Sequence, residues 1–186
     1  MNEKTHPNHV EILNVVAVAT LGQKMDLLAI MKAFRNVKYD PERFSGLLFR
    51  LKRPRTSTLI FTTGKMVCTG AKSEKQARSA VRRVVRELRK QGCIISRSPE
   101  INIVNIVGTA DLGGEVDLES MADILDDVLY EPEQFPGAIY RMKDPKVVVL
   151  IFRSGKIVLT GADREEQIHG AAEKMRGILV ENGLLY

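Results

Sequence analysis

The sequence predicts an α+β protein in which an antiparallel sheet carries helices on one face and leaves its other face open. Three observations lead there. The chain of 186 residues repeats itself at a spacing of about 91 residues. Each copy reads as a short helix, a set of β-rich runs and a longer helix. The strand residues shared by the two copies fall at alternate positions, on one face.

The repeat aligns Asn14 to Gly92 with Asn105 to Gly183 without a gap, and roughly 30 of 79 positions are identical. Its strongest blocks are Tyr39-Asp40-Pro41-Glu42-Arg43-Phe44 with Tyr130-Glu131-Pro132-Glu133-Gln134-Phe135, and Leu59-Ile60-Phe61 with Leu150-Ile151-Phe152. Gly64-Lys65 and Thr69-Gly70-Ala71 recur as Gly155-Lys156 and Thr160-Gly161-Ala162. Two copies are too few for a solenoid, so a closed pseudo-twofold pair is expected. The boundaries are residues 1–97 for the first repeat with a short leader and 98–186 for the second.

Within each copy, Asp26 or Asp117 is placed to cap a helix with apolar residues at helical spacing. These are Leu27, Ile30, Met31 and Phe34 in one copy and Leu118, Met121, Ile124 and Leu125 in the other. Ser73-Glu74-Lys75-Gln76 and Asp163-Arg164-Glu165-Glu166 resemble capping boxes that open longer helices. Stripes of Ala77, Ala80, Val81, Val84 and Leu88, and of Ile168, Ala171, Ala172, Met175 and Leu179, mark their buried sides. Strands are expected near 10–20, 46–52, 57–62 and 65–70 and again 91 residues later. Hairpin turns fall at Thr63-Gly64 and Ser154-Gly155, with looser turns at Arg53-Pro54 and Asp144-Pro145.

Strand parity then separates the covered face from the open one. Lys65, Val67 and Thr69 are identical to Lys156, Val158 and Thr160, whereas Met66 and Cys68 on the other face become Ile157 and Leu159. A core asks only for apolar volume and tolerates such exchanges. Asn14 and Val16 likewise match Asn105 and Val107, and Leu59 and Phe61 match Leu150 and Phe152. Both copies therefore meet equivalent surfaces of one quasi-symmetric partner, and duplex DNA has that symmetry.

An open band of Val, Leu and Phe is too apolar to face water without a function, so it reads as a binding surface. The minor groove at A·T pairs offers only acceptors, to which Asn and Thr donate. Aliphatic groups on the groove floor penalise a guanine amino group, which loses its hydrogen bonds on desolvation. Phe44, Phe61, Phe135 and Phe152 fall in two equivalent pairs suited to wedging between base steps. Arg50, Lys52, Lys65, Arg141, Lys143 and Lys156 are the candidate phosphate contacts.

Composition narrows the alternatives. Only Cys68 and Cys93 are present, so reduced structural thiols are expected rather than a disulfide scaffold. His6, His9 and His169 are scattered, and no Cys/His spacing suits a metal, so neither metal nor cofactor is assigned. No apolar run approaches the roughly 18 residues of a membrane span, and the opening residues lack a signal-peptide core, which points to an intracellular location. No nucleophile has a readable His partner, so no enzyme is expected. The net charge of +5 fits a polyanionic partner. It is unevenly spread: residues 14–92 hold 18 basic and 5 acidic side chains, net +13, and residues 105–183 hold 8 and 15, net −7.

Tyr-x-Pro-Glu-x-Phe, Leu-Ile-Phe-x-x-Gly-Lys, Val-x-Thr-Gly-Ala and Asn-[Ile/Val]-Val, each present twice, resemble the TATA-box-binding protein family over nearly the whole chain. The resemblance implies a saddle-shaped sheet of ten antiparallel strands with four helices on its convex face, bound over a TATA element. The short leader resembles the archaeal form, for which the location is the cytoplasm or nucleoid. Asn14, Thr69, Asn105 and Thr160 would hydrogen-bond near the centre of the site, and Val16, Val67, Val107 and Val158 would line the groove. Phe44 with Phe61, and Phe135 with Phe152, would be the kinking pairs.

The resemblance further implies recruitment of transcription factor B through Glu131 and Glu133, and assembly of the RNA polymerase preinitiation complex. Asp163 departs from the pattern set by Lys72, so no phosphate contact is carried onto it. The acidic half is expected to dock a basic factor. The helix bearing Arg82, Arg83, Arg86, Arg89 and Lys90 is left for an acidic regulator or nearby DNA, or is simply a solvated face. Self-association of the free protein through its apolar face stays open. So do two other functions: an architectural minor-groove protein of the same fold without TATA preference, and a ligand-binding or protein-interaction module using the open sheet.

Overall fold

The computed structural model describes residues 7–186; Met1 to His6, including the leader read for a signal, lie outside the described residues. The α+β class holds, with ten strands, four helices and the two repeats among the described residues. Contacts divide the described residues into two units, Asn14–Val104 and Asn105–Tyr186, the latter completed by residues 7–13.

In the first unit, β1 (Asn8–Thr20) contributes its portion from Asn14 onward. It is followed by α1 (Leu27–Ala33), β2 (Val37–Lys38), β3 (Leu47–Lys52), β4 (Arg55–Ile60), β5 (Lys65–Ala71) and α2 (Glu74–Lys90). The strands lie antiparallel in the order β2-β3-β4-β5-β1. The second unit repeats this with β6 (Glu100–Asp111), α3 (Leu118–Ile124), β7 (Val128–Leu129), β8 (Ala138–Met142), β9 (Val147–Ile151), β10 (Lys156–Ala162) and α4 (Glu165–Glu181). Its order is β6-β10-β9-β8-β7.

The helix starts follow from local chemistry. Asp26 Oδ1 accepts the amide of Ala29 at 3.0 Å and Asp117 Oδ1 that of Ser120 at 2.9 Å, each supplying an acceptor to an otherwise orphan first-turn donor. At α2, Ser73 Oγ accepts from Gln76 N at 3.0 Å, while Gln76 Oε1 accepts from Lys72 N at 2.7 Å. At α4 the cap falls one residue later than the motif suggested. Arg164 is the N-cap, it makes no side-chain cap bond, and Gln167 Oε1 accepts from Asp163 N at 2.9 Å and Arg164 N at 3.2 Å. Gln167 therefore takes the role of reaching back to the cap amides that the motif gave to Glu166, while no side-chain cap bond to the first-turn amides comes from Arg164.

Alternation along the strands is the organising feature of packing. Val15, Ala17, Ala19, Leu47, Phe49, Ile60, Met66 and Cys68 are buried, and their neighbours of opposite parity are half-buried or exposed. Ile106, Ala138, Val149, Ile151, Ile157 and Leu159 repeat the pattern. The helices cover the buried face with the predicted stripes, all of which are buried. Packing there is volume-matched: Gly108, where the first repeat has the buried Ala17, makes room for Ile168, whose Cγ2 would be 2.5 Å from an added Cβ. The short helices bury less than their spacing suggested. Leu27, Ile30, Leu118 and Met121 are buried, but Met31 is 36% and Ile124 54% exposed, and Phe34 packs edge-on against Phe49 at 5.0 Å from beyond the helix end.

Gly64 and Gly155 close the hairpins at φ +83° and +81°. An added Cβ would lie 2.1 Å from Gln23 O in one and 2.0 Å from Gly114 O in the other, so both conformation and space demand glycine. Arg53-Pro54 and Asp144-Pro145 are cis peptides at equivalent turns. The two-residue strands β2 and β7 were not foreseen from local pattern, because two residues carry no readable period.

Candidate nucleic-acid interface

Antiparallel register assembles the half-exposed side chains into cross-strand rows. In the first unit Leu48 faces Leu59, Leu59 faces Val67, and Val67 faces Val18. The neighbouring row runs Arg50, Ser57, Thr69. In the second unit the rows are Ile139, Leu150, Val158, Thr109 and Arg141, Val148, Thr160, Val107. Each unit thus carries an aliphatic strip bordered by polar and basic groups, on the face opposite its core.

The sites of sequence interest gather on these faces. Asn14, Val16, Leu59, Phe61, Val67 and Thr69 are half-buried, as are Asn105, Val107, Leu150, Phe152, Val158 and Thr160. Arg50, Lys52, Lys65, Arg141, Lys143 and Lys156 are exposed along them. Glu131 and Glu133 are exposed in the segment between β7 and β8, where Glu131 O accepts the amides of Gln134 and Phe135 at 2.9 and 3.0 Å.

The asparagines are held by their oxygens. Gly70 N donates to Asn14 Oδ1 at 2.7 Å, and Gly161 N to Asn105 Oδ1 at 2.8 Å, where the β1–β5 and β6–β10 registers shift. With Oδ1 engaged by the backbone, the amide NH2 is the group left to donate. Thr160 Oγ1 lies 3.4 Å from Asn105 Oδ1, and Asn105 Nδ2 lies 3.5 Å from that hydroxyl, so the second copy is a loosely coupled pair.

The phenylalanines meet as two edge-to-face pairs, Phe44–Phe61 at 6.0 Å and 69°, and Phe135–Phe152 at 5.8 Å and 65°. Phe44 is 50% exposed. Each pair sits on a glycine: an added Cβ at Gly46 would be 2.7 Å from Phe44 Cε1, and one at Gly137 would be 2.9 Å from Phe135 Cε1. These glycines were missed from sequence, although Phe-x-Gly recurs in both copies.

The basic rims differ between units. Lys143 Nζ pairs with Asp127 Oδ2 at 2.7 Å, and this hydrogen bond and charge raise the lysine's pKa. The counterpart of Asp127 is Asn36, whose Nδ2 donates to Arg50 O at 2.9 Å and offers Lys52 no carboxylate. A 1540 Å³ groove of the first unit is lined by Arg35, Lys38, Arg50, Lys52, Arg55 and Arg83 among others. On α2, Arg83 donates to Arg53 O, and Arg89 to Ile95 O at 3.0 Å and Arg97 O at 2.9 Å, while Arg82 and Arg86 are exposed. Part of the basic helix therefore pins neighbouring backbone rather than awaiting a partner.

Among the described residues no helix is long and apolar enough to cross a membrane. Burial pushes the Cys68 thiol's pKa up, which keeps it protonated within the core.

The family model described as transcription factor TFIID, or TATA-binding protein, matches residues 9–91 and 100–182. The TATA-box-binding protein of Sulfurisphaera tokodaii is 51% identical over 172 residues, covering 92% of this chain and 87% of that protein. That of Methanocaldococcus jannaschii is 45% identical over 172 residues, covering 92% and 94%. A solved structure, Methanococcus jannaschii TBP, superposes with a TM-score of 0.84 at 44% identity, covering 93% of this chain and 99% of the other. With this fold, these paired faces and both repeats matched, the chain belongs to the TATA-box-binding protein family.

Proposed function

We propose that this protein is a general transcription factor that binds the minor groove of TATA-box DNA, kinks it by phenylalanine insertion and nucleates preinitiation complex assembly, without catalysis. The observation that carries the reading is the duplicated open face: an aliphatic strip flanked by an asparagine whose oxygen is already taken and whose NH2 is left to donate. A·T pairs offer only acceptors in that groove, and a guanine amino group against the valines would be desolvated without a partner.

Phe44 with Phe61 and Phe135 with Phe152 act as wedges. For wedge-inserting minor-groove proteins, of which this family is itself the standard example, unstacking costs about a few kcal/mol per step and is offset by the wider contact of bent DNA. Arg50, Lys52, Lys65, Arg141, Lys143 and Lys156 neutralise phosphates and release counterions. Glu131 and Glu133 recruit transcription factor B, and the acidic second half favours a basic partner. Such a factor works inside the cell, at promoter DNA.

Mobility-shift and bending measurements on a TATA duplex and a G·C-substituted duplex test the reading. Tight, salt-dependent binding to TATA alone, with bending lost in Phe135→Ala and Phe152→Ala, is the expected result. Equal affinity for both duplexes would favour an architectural protein without TATA preference, and unaltered bending would remove the wedges. Charge reversal at Glu131 and Glu133 should abolish capture of transcription factor B; unchanged capture would dismiss that assignment.

A further inference from the structure

The two phenylalanine pairs are supported differently. In both repeats a backbone bond ties the turn after the second phenylalanine to the segment before the short helix: Met25 N donates to Thr62 O at 2.8 Å, and Val116 N to Arg153 O at 2.9 Å. Among the described residues, the second repeat adds a side-chain clamp that the first lacks. Arg153, next to Phe152, places Nη2 2.7 and 2.9 Å from the two carboxylate oxygens of Glu119 on α3. The charge of Glu119 raises the guanidinium's pKa.

One guanidinium therefore links the helix to the chain segment that carries Phe152, against whose ring Phe135 packs edge-on at 5.8 Å. The equivalent first-repeat residues are Leu28, which is 54% exposed, and Thr62, between which no such link can form. We infer that Arg153 is a positioning residue: together with Glu119 it preorganises the second phenylalanine pair, so that the two wedges differ in stiffness and the second unstacks its base step with less rearrangement. This rests on the wedge reading proposed above. The physical reason is that a side chain already held in its working geometry does not lose that freedom on binding.

The test uses the full chain and TATA duplexes carrying 2-aminopurine at one kink step or the other, with unstacking followed in stopped flow. Phe152→Ala identifies the step served by the second pair, as the one whose fluorescence rise it removes. Arg153→Thr and Glu119→Leu, the residues of the first repeat, should each slow unstacking at that step by about two- to fivefold, the range of an exposed ion pair, and leave the other step unchanged. The double variant should be no slower than either single one, and the charge swap Glu119→Arg with Arg153→Glu should restore the rate. A merely structural role would lower Tm and affect both steps alike. Equal slowing at both steps, or none at either, overturns the inference. Loss of neither signal in Phe152→Ala would instead overturn the wedge reading beneath it.

Discussion

Asn14 Oδ1 accepts the backbone amide of Gly70 at 2.7 Å, across 56 residues of chain, and so decides which end of its own amide group is presented on the open face. Asn14→Asp keeps an oxygen for Gly70 but replaces the outward NH2 by a second, negatively charged oxygen. Against the acceptors of an A·T minor groove this should weaken binding far more than Asn14→Ala, for which a loss of about three- to tenfold is expected from one hydrogen bond. Competition titrations with a TATA duplex rank the two. An Asp variant that binds as well as the Ala variant would contradict the donor role.

Gly46 and Gly137 separate wedge geometry from stability. A Cβ at Gly46 would press on the ring edges of Phe44 and Phe61, and the half-exposed Phe44 can swing aside. At Gly137 the added carbon would also lie 3.0 Å from the backbone oxygen of Ile151, which cannot retreat. Gly46→Ala should reduce bending with little change in Tm. Gly137→Ala should reduce bending and also cost about 1–3 kcal/mol in denaturant unfolding.

Asp127 competes with phosphate for Lys143. Asp127 has φ +63°, a conformation that asparagine tolerates, and asparagine is the first-repeat residue at the equivalent position. Asp127→Asn should raise affinity for TATA DNA and steepen the dependence of log K on log salt by up to about one unit as Lys143 is released. An unchanged slope would place Lys143 away from the duplex.

Asp117 supplies a pH test of helix capping. Hydrogen bonds from Ser120, its amide at 2.9 Å and its hydroxyl at 2.8 Å, hold the Asp117 carboxyl below its ordinary value of 3.8. Because the folded value is the lower one, the stabilisation is complete above the ordinary pKa and is lost as pH falls through the folded value. Asp117→Ala should therefore lower Tm at pH 7, and its deficit relative to the parent should shrink as pH falls below about 4. A deficit independent of pH would show that the charge plays no part.

Much of this protein is legible in one dimension because the signals are local and occur twice. Asp26, Asp117 and Ser73 cap helices three residues ahead, and alternate residues such as Met66 and Val67 must point to opposite faces. Comparing the copies then distinguishes Val67 and Val158, kept identical on the open face, from Cys68 and Leu159, which share only burial. At Asp163 the same local reasoning misplaced the cap by one residue: Arg164 is the N-cap, and Gln167 rather than Glu166 reaches back to the amides of Asp163 and Arg164.

The amino-acid sequence by itself determined the duplication, the α+β class, the faces of the strands and the residues that crowd the open one, since each follows from periodicity or from chemistry within a few positions. Tertiary structure alone decided that Gly70 orients Asn14, that Asp127 occupies Lys143, and that Glu119 holds Arg153 beside one phenylalanine pair and not the other. Those contacts join residues 16 to 56 positions apart. Only the closing of the chain brings such side chains within hydrogen-bonding distance, and no local pattern records which of many charged or polar groups will meet.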